Sequence, residues 1–419
     1  MLMSHTAQCS MLRGPDGLCR SFPQAFYRPF QRADVHQHTA PVLRPPCQAL
    51  SSTMRRQMMP SLRQQQKASR LQRCICAAAS SDYRQRENSD VRVLVVGATG
   101  YIGKFVVKEL INRGYNVVPF ARGKSGVGGK AGMEDTKQEF EGADVRFGSV
   151  SDLTSLRDVA FAEPVDVVVS CLASRTGGKK DSWAVDYQAT KNVLEVAREK
   201  GAQHFVLLSA ICVQKPLLEF QHAKLKLEAA LQSAGDITYS IVRPTAFFKS
   251  LAGQVQLVKT GKPYVMFGDG QLASCKPISE ADLASFMADC VKDPSKANKM
   301  LPIGGPGKAW SALEQGEYLF RLAERKPSFI KVPVALMDGI IGFLDLLAKV
   351  FPGLEDSAEY GRIGKYYATE SMLVYDHDKQ QYDAEATPSY GKDTLEEFFR
   401  RAVKEDGMKG QELGDAAVF

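Results

Sequence analysis

Val91-Arg92-Val93-Leu94-Val95-Val96-Gly97-Ala98-Thr99-Gly100-Tyr101-Ile102-Gly103 is the stretch that decides the fold of this chain. Its apolar run reads as a strand that stops at a glycine, and Tyr101 to Arg113 follows with helical spacing. The three glycines serve different needs: a tight turn, close approach of backbone to a pyrophosphate, and close packing of helix on strand. The helix start then offers unpaired N–H groups and a partial positive charge. Strand, turn and helix agree. The stretch therefore predicts a dinucleotide site, with Gly97, Thr99, Gly100, Tyr101, Ile102 and Gly103 around the phosphates.

Downstream, strands and helices alternate. Asn116 to Ala121 and Asp144 to Phe147 read as strands, and Val165 to Cys171 is almost continuously apolar, as a central parallel strand buried on both faces should be. Ser182 to Lys200 has helical spacing, His204 to Ser209 and Thr238 to Val242 supply further strands, and Lys224 to Ala234 reads as an amphipathic helix between them. Such alternation predicts an α/β fold, a Rossmann-like doubly wound parallel sheet with a smaller C-terminal substrate-binding portion. The expected division is a nucleotide-binding core over 88–245 and a substrate-binding region over 246–419 packed on it. Ser279 to Asp282 reads as an N-cap opening the next helix. Val334 to Phe351 is strongly apolar, but Asp338, Asp345 and Lys349 interrupt it, so it does not read as a spanning helix. A core or pocket-lining helix is the expectation, with a membrane-surface helix as the functional alternative.

The second strand separates NAD from NADP. An NAD site needs a carboxylate at its end to accept the ribose 2′-hydroxyl. Here Ala121-Arg122-Gly123-Lys124 follows, and no acid appears until Glu134. Arg122 can fork onto a 2′-phosphate and Lys124 can add a point charge, so NADPH is the expected cofactor.

The formal net charge of +7 resides in the N-terminal segment. Residues 1–80 carry eleven Arg and Lys against Asp16 and Asp34, which leaves residues 81–419 at −2. Nothing in the bulk charge of the remainder asks for a nucleic-acid partner. The segment is rich in Arg, Gln, Ser and Pro and lacks a long apolar run; it resembles an organellar transit peptide. Five of the nine cysteines lie within it. Cys171, Cys212, Cys275 and Cys290 are widely spaced, so no metal or iron–sulfur site is indicated, and they read as buried small hydrophobes.

The glycine spacing, the strand ending Leu208-Ser209 and Ile241-Val242-Arg243-Pro244 resemble the extended and atypical short-chain dehydrogenase/reductases. In that superfamily a Tyr-x-x-x-Lys pair acts on carbonyls and alcohols. The matching helix here reads Phe220-Gln221-His222-Ala223-Lys224. The lysine is present and the tyrosine is replaced by a residue with no proton to give, which argues against ordinary carbonyl chemistry by this route. Two classes survive: a reductase of a conjugated C=C bond, or a protein that keeps the nucleotide shell without catalysis. By the resemblance, Lys224 and Ser209 are the candidate catalytic residues.

Longer strings sharpen this. Val168 to Ser174, His204 to Phe220, Tyr239 to Leu251, Gly261 to Gly270 and Leu301 to Lys308 resemble the NADPH-dependent divinyl chlorophyllide 8-vinyl-reductases of plants and algae. That resemblance implies reduction of the 8-vinyl group of divinyl chlorophyllide, or of divinyl protochlorophyllide, to ethyl, and a chloroplast address. The alternative is a non-catalytic photosystem assembly or RNA-stability factor of the same superfamily, with a phenylpropanoid reductase as a further rival. For a flat apolar substrate bearing a propionate, Phe220, Phe247 and Phe248 are candidate walls and Arg243 a candidate cation. Such a substrate also raises peripheral association with the thylakoid or envelope membrane.

Overall fold

In β1 (Arg92–Val96) Val93 and Val95 enter one hydrophobic core while Leu94 and Val96 enter another. A strand apolar on both faces is stable only between two helical layers. That is where the computed structural model of the chain, which describes residues 82–125 and 131–404, puts it. The basic segment 1–80, expected to be a transit peptide, lies outside the described residues.

The sheet takes β2 (Asn116–Ala121), β3 (Arg146–Phe147), β4 (Val167–Ser170), β5 (His204–Leu208) and β6 (Thr238–Pro244) in turn. Further along come β7 (Tyr264–Phe267), β8 (Ser274–Cys275) and β9 (Lys299–Ile303), and β9 returns to the main sheet. The order is β3-β2-β1-β4-β5-β6-β9, and every pairing is parallel. The order reverses between β1 and β4, which opens a crevice outside their carboxyl ends.

On one face lie α1 (Tyr101–Asn112) and a later helix, α4 (Glu280–Lys292); on the other lie α2 (Thr190–Glu199) and α3 (Glu219–Gln232). Val106 and Leu110 of α1 meet Leu283 and Met287 of α4, while Leu194 and Leu227 fill the opposite layer. Each such side chain contributes about 1.5–3 kcal/mol by burial. Ser279 caps α4 as the sequence predicts, its hydroxyl accepting the Asp282 N–H. The sheet thus draws its seventh strand, and one face its second helix, from beyond residue 245.

The remaining C-terminal chain builds a third core. There β7 pairs in parallel with β11 (Phe329–Val332) and β8 antiparallel with β10 (Trp310–Ser311). Phe248, Tyr264, Trp310 and Phe320 pack inside, closed by Phe398 and Phe399 of the last described helix, Leu395–Lys404.

Helix α5 (Val334–Ala348) departs from the expectation of a core helix: its one buried residue is Ile341, which packs 3.0 Å from where a side chain on Gly361 would begin. The reason lies in which face is charged. Asp338 and Asp345 pair with Lys365 and Arg362 of α6 (Glu355–Thr369), so the polar side faces the protein. Leu336, Ile340, Phe343 and Leu346 are left facing outward, and Phe343 is 60% exposed.

Candidate active site

The site begins at the turn after β1. Gly97 has φ +73°, and a Cβ there would lie 2.7 Å from the carbonyl of Cys171, at the end of β4. A Cβ on Gly103 would overlap the Gly97 carbonyl. Both positions exclude every residue but glycine, which lets α1 start close against the sheet with its first N–H groups facing the crevice.

A cleft of about 580 Å³ runs from this turn across the carboxyl ends of the strands. Gly97, Thr99, Gly100, Tyr101 and Ile102 line it at the turn, and Arg122 lines it beyond β2. Cys171 to Arg175 after β4, Leu208 at the end of β5, and Phe247 complete the far wall. These residues fit a dinucleotide: a helix start for the pyrophosphate, and a guanidinium without a carboxylate where the adenosine ribose would lie. Gly103 sits behind the cleft in the helix–strand contact, and Lys124 is exposed beyond Arg122 without lining the cleft.

Lys224 and Ser209 lie in two buried networks that share helix α3. The Lys224 ammonium lies 3.0 Å from an Asp186 carboxylate oxygen. The other Asp186 oxygen accepts the N–H of Ser174, 3.2 Å away, on the loop that walls the cleft. One turn along α3, Glu228 accepts the Ser209 hydroxyl at 2.5 Å and pairs with the Arg243 guanidinium. The two buried carboxylates are balanced by buried Lys224 and half-buried Arg243, which is the condition for holding them out of water. Asp186 and Glu228 escape sequence reasoning. The available signal was an acid on an otherwise apolar helical stretch at Asp186, and the Lys224–Glu228 spacing of four.

The structure separates the candidate substrate residues. Phe247 lines the cleft and also a second cavity of about 460 Å³. Phe220 is half-buried against the small core that contains Ile211, Cys212 and Tyr366, and lines neither. Phe248 is buried in the third core, its ring 5.1 Å from that of Phe398. Arg243 is committed to Glu228 and lines neither cavity.

The second cavity opens next to the end of β5, between Ala210 to Cys212 and the loop Pro244 to Phe247. Tyr264, Met266, Trp310 and Tyr367 give it an aromatic and apolar interior. Among the described residues lining it there is no Lys, Arg or His, and the one carboxylate, Glu370, accepts from Lys215 and from the Tyr382 hydroxyl. Cys171, Cys212, Cys275 and Cys290 are free and buried. Burial pushes the Cys171 thiol up to about 12, so no thiolate forms beside the cleft at neutral pH. No group of metal-ligating side chains occurs among the described residues.

Comparison with known proteins agrees with this geometry. Residues 97–294 match the NAD(P)H-binding family. The chain is 61% identical to the chloroplastic divinyl chlorophyllide a 8-vinyl-reductase of Cucumis sativus, over 82% of this chain and 84% of that one. Similarity to the photosystem II assembly factor Ycf39 of Synechocystis is 23%, over 75% of this chain and 92% of that one. Among solved structures, the NADPH complex of leucoanthocyanidin reductase from Vitis vinifera superposes with a TM-score of 0.53 at 17% identity, covering 74% of this chain and 99% of that one, a likeness of fold alone.

Proposed function

The chain belongs to the divinyl chlorophyllide a 8-vinyl-reductases, and from that premise we propose that it reduces the 8-vinyl group of divinyl chlorophyllide a to ethyl in the chloroplast, with NADPH as reductant. The observation that carries this reading is a dinucleotide cleft that meets an apolar cavity at Phe247. NADPH, when bound, supplies the hydride. What the chain must add is position, exclusion of water and a proton. The vinyl group is conjugated with the macrocycle, so the ring itself can hold the charge that hydride addition creates. An oxyanion-protonating tyrosine is therefore unnecessary at Phe220.

Gly97 and the start of α1 take the pyrophosphate and Arg122 the 2′-phosphate, while Lys224, which lines neither cavity, steadies the Ser174 loop of the cleft wall through Asp186. The apolar cavity takes the macrocycle edge that bears the vinyl group. With no cation in its lining, the propionate is directed to its rim. Divinyl protochlorophyllide, which shares that edge, is a second substrate on this reading. The 61% identity to the reductase, against 23% to the assembly factor, favours the enzyme. The test is incubation of the purified chain with NADPH and divinyl chlorophyllide a. Formation of the monovinyl pigment is expected, and none from folded, NADPH-binding protein would refute the reading.

The outward stripe of α5 supports a second element of the proposal, peripheral association with the thylakoid or envelope membrane. No helix among the described residues is long and apolar enough to cross a membrane. Flotation with chloroplast-lipid vesicles tests it: Phe343→Glu should stay in the soluble fraction while the wild type floats, and equal flotation would contradict it.

A further inference from the structure

The reaction needs a proton as well as a hydride, and the usual donor position is occupied by Phe220. The two polar side chains nearest the conventional site are already committed. The Ser209 hydroxyl donates to Glu228, and the Lys224 ammonium is held by Asp186. The donor must face the apolar cavity close to where the cleft enters it, at Phe247 and the segment after β5. Most acids of the cavity lining are excluded by their partners. Thr245 donates to the Lys276 carbonyl at 2.6 Å, the Cys275 thiol is engaged with Trp310 and Gln315, and Glu370 is paired. Tyr264 belongs to the third core, packed edge-on against Phe329.

Tyr367 remains. It projects from α6 into the same cavity, and its phenol interacts with the thiol of Cys212, on the segment that follows β5. Its neighbour Tyr366 anchors that segment by donating to the carbonyls of Cys212 and Lys215. The Tyr367 side chain reaches from the surface into the cavity, 42% exposed as a whole, whereas Cys212 is enclosed at 4%. The geometry points to Tyr367 as the acid that protonates the reduced vinyl group. This rests on the reading of the chain as a vinyl reductase.

The step balances as follows. Hydride from NADPH adds to the terminal vinyl carbon, and the C=C π pair moves onto the inner carbon, where the macrocycle shares it. The O–H bond of Tyr367 then breaks, its proton forms the new C–H bond at the inner carbon, and the phenolate takes a proton from water. The products are the ethyl group and NADP⁺. Burial and the neighbouring thiol hold the phenol well above its ordinary range, which keeps it protonated at neutral pH before the hydride arrives.

The test compares wild type and Tyr367→Phe for kcat, NADPH affinity and the configuration of the deuterated CHD carbon formed in D₂O. For Tyr367→Phe we expect kcat to fall by about 100-fold or more, the range of general acid catalysis, with NADPH affinity unchanged and the residual product a mixture of both configurations. Wild type should give a single configuration. Tyr367→Phe turning over within about threefold of wild type with a single configuration would overturn the assignment. Wild type that binds NADPH but makes no monovinyl pigment would overturn the reductase reading itself, a distinct outcome.

Discussion

The ammonium of Lys224 and the carboxylate of Asp186 form a buried ion pair at 3.0 Å, joining helix α3 to the stretch that follows the cleft wall. Asp186 also holds Ser174 by its backbone N–H, so a single carboxylate fixes both Lys224 and a loop of the cleft wall. Asp186→Asn keeps the shape and removes the charge. Breaking a buried pair on one side costs about 3–5 kcal/mol, so the variant should unfold at markedly lower urea and bind NADPH more weakly. Asp186→Asn with Lys224→Met should lose less stability than the two single losses added, as a double-mutant cycle by urea denaturation will read.

Gly103→Ala places a methyl group on the Gly97 carbonyl. Either α1 moves off the sheet or the turn opens, and both remove the phosphate cradle. NADPH affinity should fall by more than about 100-fold on fluorescence titration, more than a charge-neutral change elsewhere on α1 would cause. Lys108→Ala, on the exposed side of the same helix, is the control and should bind as wild type.

Arg122, at the end of the cleft beyond β2, is the proposed determinant of cofactor choice. A charge-assisted bond to the 2′-phosphate is worth about 1.5–3 kcal/mol, or about 10- to 100-fold. Arg122→Ala should weaken NADPH by that factor and leave NADH nearly unchanged, measured by parallel titration. Lys124, exposed beyond the cleft, should contribute less.

His204 gives a pH signature in stability rather than in catalysis. It is fully buried in β5, bonded to Thr238 at 2.8 Å and Ser240 at 3.1 Å, and burial pushes its imidazole down to about 3. The unfolded chain takes up a proton near pH 6.5 and the folded chain does not. Stability is therefore complete above that pH and declines as pH falls from 6.5 toward about 3. Between pH 7 and pH 5 this one group should cost about 2 kcal/mol, at about 1.4 kcal/mol per pH unit below 6.5. His204→Asn should flatten the fall by that amount in urea titrations at the two pH values.

The parallel sheet was legible because its determinants are local: an apolar run followed by a helical period recurs at β1, β4 and β5, with a glycine turn at β1. Arg122 was legible for the same reason, since its position relative to the second strand fixes its place at the cleft. The partners of Lys224 and Ser209 were not, because Asp186 and Glu228 meet them only when separate elements pack. Phe247 and Phe248 are adjacent in sequence, yet one faces both cavities and the other the third core, a difference that turns on the backbone after β6. For α5 the apolar pattern is plain in the sequence and the direction it faces is not. Asp338 and Asp345 look solvent-facing until Lys365 and Arg362 of α6 are opposite them. Tyr367 carries no local motif at all, and only the tertiary packing of α6 brings it to the cavity.

The central claim is that the hydride of NADPH passes to the vinyl group at the junction marked by Phe247. Single-turnover reaction with NADPH deuterated at C4 on the transferring face, followed by mass spectrometry and NMR of the pigment, tests it most directly. The account predicts one deuterium on the terminal carbon of the new ethyl group. A monovinyl product carrying no deuterium from NADPH, or carrying it elsewhere on the macrocycle, would contradict it.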